Sequence, residues 1–207
     1  MSSLELLKIR NVKSPNRGTS HSAGIDFYMP EFDEDFLMEM FMKNKKVFYF
    51  MALNSLSIKD FETFVESVSL DITKDVLIGI KLLCKQDNTE FYFELPALKD
   101  FLIPSGIKTK FLNGVFIAFN KGGVATKQKL TVGACVDDED FMGELFIHVV
   151  NSSDEPQRIT LGNKLVQFLY MPINYDIPVI KENITSEEFY VKVTDRGEGC
   201  LGSTSIK

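Results

Sequence analysis

The feature that most constrains this chain is the stretch at residues 132–144, VGACVDDEDFMGE. It opens with small and β-branched residues and gathers Asp137, Asp138, Glu139 and Asp140. It closes on Phe141, Met142, Gly143 and Glu144, and the run LFIHVV follows at 145–150. Two apolar segments flanking an acidic turn predict a β-hairpin with carboxylates at its bend. Successive strand residues point to opposite sides, so one acid can face a pocket while its neighbour faces water. A charge cluster alone is most often a solvated turn, so its meaning depends on the rest of the chain.

The chain has 207 residues, enough for one sizeable domain carrying a large insertion. A net charge of −6 gives no broad attraction to nucleic acid, and no nucleic-acid partner is expected. A local basic pocket for a small phosphorylated ligand stays allowed. Three cysteines, Cys84, Cys135 and Cys200, contain no CxxC pair and give neither a zinc signature nor a disulfide framework. That favours a reduced, intracellular setting. The N-terminal MSSLELLKIRNVKS lacks the apolar core of a signal peptide, and no run is long enough to cross a bilayer. No membrane association is expected.

In chain order, residues 4–12 read as a first strand and 14–22 as a polar loop. A small-residue turn, AGID, then enters a strand at 25–28. Phe36, Leu37, Met40 and Phe41 form one helical stripe behind Asp33, a plausible N-cap. Residues 47–53 are β-like. Ile58, Phe61, Phe64 and Val65 have helical spacing behind Ser57. Residues 76–84 and 91–95 read as strands around a polar turn, with a helix as the alternative for 76–84. Ile103-Pro104-Ser105-Gly106-Ile107 is a turn between strands. A buried-type strand at 114–119 runs into Lys121, Gly122 and Gly123. Such a glycine pair presents bare N–H groups suited to an anion, although it is more often a plain turn. A turn and strand at 161–169 carry Gln167, and 177–180 read as a last strand. The tail, RGEGCLGSTS from Arg196, reads either as a disordered terminus or as an arm that orders over a polyphosphate.

Taken together, these stretches resemble the sequence blocks of the trimeric dUTP diphosphatases, the dUTPases. Asp138-x-Asp140-Phe141-x-Gly143-Glu144 is similar to the family's D-x-D-Y-x-G-E. A-G-x-D at 23–26 resembles its first block, and Lys121-Gly122-Gly123-Val124-Ala125 resembles R-S-G-L-A. Gly162-Asn163-Lys164-Leu165-Val166-Gln167 resembles G-D-R-I-A-Q, and the tail from Arg196 to Thr204 resembles R-G-x-G-G-F-G-S-T. The five blocks keep the family's order.

The resemblance implies a mainly β subunit, jelly-roll or β-clip in kind, with an inserted α+β segment after the first motif. Residues 1–207 are then one domain, 31–90 its insertion and 195–207 a C-terminal arm. It implies a homotrimer with sites between subunits, hydrolysis of dUTP to dUMP and pyrophosphate, and Mg²⁺ as cofactor. Asp138 is the implied general base, a role suited to a carboxylate. Lys121, Gly122, Gly123, Gln167, Arg196, Ser203 and Thr204 bind phosphate. Phe141 stacks on deoxyribose, Val132 and its neighbours read the base, and Leu201 covers it. Asp26 lies near the metal, acting through water. A cytoplasmic location follows, the host cytoplasm for a viral or phage enzyme, and residues 31–90 are a surface for a protein partner.

This chain departs from the pattern at Gly122 for Ser, Phe141 for Tyr, Leu201 for Phe, Cys200 for Gly and Asp137 for an apolar residue. These departures leave two alternatives open. One is a catalytically weak binding or regulatory protein acting through the insertion. The other is a pyrophosphatase for another deoxynucleotide.

Overall fold

The computed structural model describes residues 4–69, 73–87, 90–134 and 136–190. Two compact units are present, Met1–Asn174 and Tyr175–Lys207. In the first unit the strands are β1 (Glu5–Lys8), β2 (Asn16–Arg17), β3 (Ile25–Tyr28), β4 (Lys85–Asp87), β5 (Glu90–Leu95) and β6 (Asp100–Pro104). They continue with β7 (Ile107–Lys110), β8 (Gly114–Asn120), β9 (Leu130–Val132), β10 (Val136–Asp137), β11 (Phe146–Asn151), β12 (Gln157–Thr160) and β13 (Lys164–Pro172). Helices α1 (Glu34–Ser55), α2 (Ile58–Ser69) and α3 (Thr73–Leu83) lie between β3 and β4, and α4 (Gly122–Lys127) follows β8.

The strands form small sheets, as expected for a mainly β fold. The largest has the order β10-β8-β13-β3-β2, and another has the order β6-β11-β9. β13 is central because Val166 to Pro172 pair with β8, and its first half also pairs with β3, placing Gln167 opposite Asp26. Alternate residues of a strand face opposite sides. Phe168 therefore enters an aromatic core with Phe27 and Phe116, at ring separations of 4.6 and 4.9 Å, while Gln167 and Leu169 line the other face.

The helices are fixed to this frame by phenylalanines. Phe48 packs on Phe93 of β5 at 5.4 Å and on Phe101 of β6 at 5.8 Å, and all three are fully buried. The Asp33 cap forms as expected, its carboxylate accepting from the Phe36 N–H at 2.8 Å. Ser57 likewise accepts from the Asp60 N–H at 3.2 Å at the head of α2.

Residues 47–53 are helical, not β. Phe48, Met51 and Ala52 are buried with helical spacing, and that burial against β5 and β6 outweighs the β-propensity of the aromatic run. Residues 76–84 take the helical alternative, forming α3 up to Leu83. Val76, Leu77, Ile80 and Leu83 make one buried face, and Gly79 lets α3 approach α2, where an added Cβ would come within 2.3 Å of the Ser67 hydroxyl. The segment thus holds three helices where two were expected.

The hairpin also differs from the expected tight bend. β9 pairs with β11, matching Val132 to Val149, but β10 leaves to pair with β8, placing Asp137 opposite Phe116. In the second unit, residues 177–180 form no strand, and Ile177, Val179 and Ile180 are exposed. A short helix there, α5 (Ser186–Phe189), begins at a reciprocal capping box between Thr185 and Glu188. The TSEE signature is in the sequence but was not among the expectations. No helix among the described residues is long and apolar enough to cross a membrane.

Candidate active site

Two clefts collect the expected residues, and they share no lining residue. The first is an open cleft of about 450 Å³ formed by Ser22, Ala23, Gly24, Asn120, Lys121 and Gln167, with Phe119 and Leu169 as its apolar walls. Asp26 lies beneath it with no solvent exposure. Its two carboxylate oxygens face Lys121 Nζ at 2.6 Å and Lys164 Nζ at 2.7 Å. Burial alone would push this carboxyl up. The hydrogen bonds and charges of Lys121 and Lys164 outweigh burial and hold it below the ordinary carboxylate value. One buried charge thus orients the ammonium groups of two lysines whose side chains are 30% and 43% exposed.

The loop at the cleft edge is tied down by Arg17, whose guanidinium donates to the carbonyls of Ser22 and Ala23. Gln167 lies over Gly24, where a Cβ would come within 2.6 Å of its side-chain oxygen, and it donates to the Asn120 carbonyl at 3.0 Å. Gly122 and Gly123 open α4 instead of lying in an extended turn, and both are exposed with nothing near a built Cβ. The structure therefore brings Asp26, Lys121 and Gln167 together. Arg17 and Lys164 were missed. Lys164 stands where the fourth block carries arginine, which was the available signal.

The second cleft, about 240 Å³, is lined by Ala134, Asp137, Asp138, Phe141, Glu144 and Phe168, among others. Asp137 and Asp138 face opposite ways, the first buried and the second exposed. Asp137 accepts from the Thr109 hydroxyl at 2.6 Å, and its other oxygen is buried without a hydrogen-bond partner. Burial pushes its carboxyl up to about 6; the Thr109 hydrogen bond pulls back, and the neighbouring Asp138 charge adds to the rise. Phe141 is 45% exposed and its ring lies against Gly143, where a Cβ would meet the ring at 2.4 Å.

Glu144 locks the loop in place. Arg10 Nε donates to it at 2.9 Å, with further contacts at 3.1 and 3.0 Å, and the Gly106 N–H donates at 2.7 Å. Gly106 has φ of +74°, so the turn between β6 and β7 needs glycine there. Sequence spacing gave no sign of Arg10, which is 134 residues away.

Upstream in the same loop, the backbone donors are already committed. Val132 N–H donates to Asn120 Oδ1 at 2.7 Å, Gly133 N–H to the His148 carbonyl at 2.9 Å and Ala134 N–H to His148 Nδ1 at 2.9 Å. Since Nδ1 accepts, the His148 proton sits on Nε2, which donates to Asp100 at 3.0 Å. A base read at 132–134 must therefore use groups other than these N–H donors. Arg196, Leu201, Ser203 and Thr204 lie outside the described residues.

The described residues hold no group of three His, Cys, Asp or Glu side chains arranged for a metal ion. Asp26, expected near a metal through water, is instead enclosed by two ammonium groups and is not arranged as a ligand. A resident Mg²⁺ does not fit these residues.

A model of the dUTPase family matches residues 81–205. A deoxyuridine 5'-triphosphate nucleotidohydrolase of Wolbachia pipientis (strain wPip) is 35% identical over 113 residues, which is 53% of this chain and 71% of that protein. The Fowlpox virus protein of the same name is 29% identical over 136 residues, 61% of this chain and 91% of its own. Among solved structures, the dUTPase of phage phi11 of S. aureus, described with a species-specific insert, aligns with a TM-score of 0.53 at 14% identity. That alignment covers 89% of this chain and 99% of the phage protein. A Staphylococcus phage 80alpha dUTPase mutant gives a TM-score of 0.57 at 15% identity and covers 98% of both chains. The structural likeness shows the fold, and the family match spans the second to fifth blocks, including both aspartates of the second cleft; the chain belongs to the dUTPase family.

Proposed function

We propose that this protein hydrolyses dUTP to dUMP and pyrophosphate at a site composed from both clefts. The observation that carries the reading is the exposed Asp138 beside Phe141, in a cleft inside the stretch that matches the dUTPase model. Asp138 takes a proton from a water as its oxygen bonds to the α-phosphorus. The bond from that phosphorus to the bridging oxygen breaks, and pyrophosphate leaves. Phe141, the tip of its ring against Gly143, sets the position of the deoxyribose. Lys121 and Gln167 donate to phosphate oxygens, and Asp26 is a positioning residue that aims Lys121. Gly122 and Gly123 leave the α4 entrance open to the phosphates. A divalent ion, Mg²⁺ by the resemblance, arrives chelated by the triphosphate as part of the substrate.

The two clefts open on opposite faces of one sheet, since Gln167 and Leu169 line one and Phe168 lines the other. One nucleotide touching both is best served by two subunits. This supports a homotrimer in which the Lys121 cleft of one chain meets the Asp138 cleft of another; by the resemblance alone, residues 195–207 are the arm that closes over the phosphates. Residues 31–90 are then an insertion. In support, the family match begins at residue 81, near the end of that segment, whereas the first block sits at 23–28 on a strand of the same sheet.

The test is pyrophosphate release from dUTP with MgCl₂, with UTP, dTTP and dCTP alongside. Turnover of dUTP well above the others is expected. Absence of product from dUTP, or preference for another nucleotide, contradicts the reading. Sedimentation should give three times the 23.5 kDa chain mass.

A further inference from the structure

We propose that the groove between α1 and the β6–β11 ladder is a docking site for an acidic, amphipathic segment of a partner protein. The groove, about 840 Å³, shares no lining residue with the Lys121 cleft and meets the Asp138 cleft at Leu102 and Ala134. It borders a break in α1 at Asn44, whose backbone leaves helical geometry at φ −124° and ψ 25°. The Asn44 amide is held by both ends. Its nitrogen donates to the carbonyls of Met40 at 2.7 Å and Leu102 at 2.9 Å, and its oxygen accepts from the Leu102 N–H at 2.8 Å. The break is therefore built into the fold and pinned to β6.

Four lysines line the groove, Lys43, Lys45, Lys46 and Lys99, in a chain of net charge −6. The one carboxylate lining it, Asp100, is taken by His148 at 3.0 Å. Lys43 shares Glu39 at 3.6 Å, while Lys45, Lys46 and Lys99 have no carboxylate within 4.0 Å among the described residues. Such concentration of unpaired cations in an acidic protein creates a local field favouring an anionic ligand.

The groove is not only basic. Met42 and Phe50, exposed at 51% and 39%, line it together with Val47 and Leu102. Beyond the break, Phe50 and the exposed Leu53 stand three residues apart on one face of α1, and Met42 continues this apolar strip on the other side of Asn44. An isolated phosphate would use none of this apolar surface. Stacked nucleic-acid bases are also less favoured, because Phe50 is the one phenyl ring lining the groove and Lys99 Nζ stands over one of its faces at 4.7 Å. A peptide helix with Leu or Phe along one stripe and Glu beside it satisfies the strip and the ammonium groups together.

The test uses full-length protein and a fluorescein-labelled synthetic peptide of roughly fourteen residues, about four helical turns, with a Leu/Phe stripe flanked by Glu. Fluorescence anisotropy at low salt should show saturable binding. The Lys45→Glu/Lys46→Glu/Lys99→Glu protein should bind at least tenfold more weakly. A control with the same charge change elsewhere, Lys8→Glu/Lys74→Glu/Lys127→Glu, should bind as wild type, and the three Lys→Arg changes in the groove should retain binding. If the groove variant loses its circular-dichroism spectrum, Lys99→Glu alone is measured and should weaken binding at least threefold. The proposal is overturned if wild type does not bind or the groove and control variants weaken equally. Equal binding of a peptide with the same residues scrambled, or displacement of the peptide by oligo-dT at lower concentration than by unlabelled peptide, also overturns it. None of these readouts depends on nucleotide hydrolysis.

Discussion

Asp26 and Asp137 are both buried carboxylates, and the protein treats them in opposite ways. Asp26 has an ammonium group against each oxygen, and its carboxyl is held below the ordinary value despite having no exposure. Among the described residues Asp137 has one hydroxyl and no cation, and burial raises it to about 6. The first arrangement prepares a phosphate cleft by fixing cations. The second places a strained charge directly behind the exposed Asp138. Burial alone does not decide what a carboxylate does; the charge of what faces it decides.

The largest stability effect should come from breaking the first arrangement. Asp26→Ala leaves two lysines without their anion and, because their side chains are partly exposed, should cost on the order of 2 kcal/mol, read as a lower urea midpoint at pH 7. Its pH dependence also follows. A carboxyl lowered in the folded state contributes stability above the unfolded value of 3.8, and that contribution is lost as pH falls through the folded value. The variant should therefore show a shallower acid loss than wild type.

The second arrangement should respond with the opposite sign. Asp137 is raised from 3.8 to about 6, so its favourable contribution is complete below pH 3.8 and is lost as pH rises through 6. Asp137→Val should raise stability at pH 8 by on the order of 1–2 kcal/mol, after allowance for solvent screening of the charge. The gain should shrink toward zero near pH 4 in a thermal melt series. A gain that is flat across this range would remove the contrast.

Two smaller changes sharpen the site itself. Gly143→Ala places a methyl against the end of the Phe141 ring, which swings aside easily because it is half exposed. Stability should change by less than about 1 kcal/mol, while KM for dUTP rises several-fold. Gly122→Ser meets nothing within 4 Å, so stability should stay within about 0.5 kcal/mol. A modest rise in kcat would place its hydroxyl on the phosphates.

Much of the frame was legible because local chemistry and tertiary packing agreed. The Asp33 and Ser57 caps, the 103–107 turn and the strands at 91–95, 114–119 and 164–169 all formed. The reading failed where packing overrode local propensity. Phe48 and Met51 are helical because their burial demands it, and residues 177–180, apolar but exposed, form no strand among the described residues. The blocks named Asp138, Phe141, Lys121 and Gln167, but not how they are held. Thr109 under Asp137, Arg10 on Glu144 and Lys164 on Asp26 are contacts between residues distant in sequence, and no short-range pattern announces them.

The most direct test compares adjacent residues, Asp138→Asn and Asp137→Asn, by single-turnover pyrophosphate release from dUTP. The account predicts that Asp138→Asn lowers the rate by about 10³-fold with folding intact, whereas Asp137→Asn keeps it within tenfold. Full activity in Asp138→Asn, or a larger loss in Asp137→Asn, would contradict it.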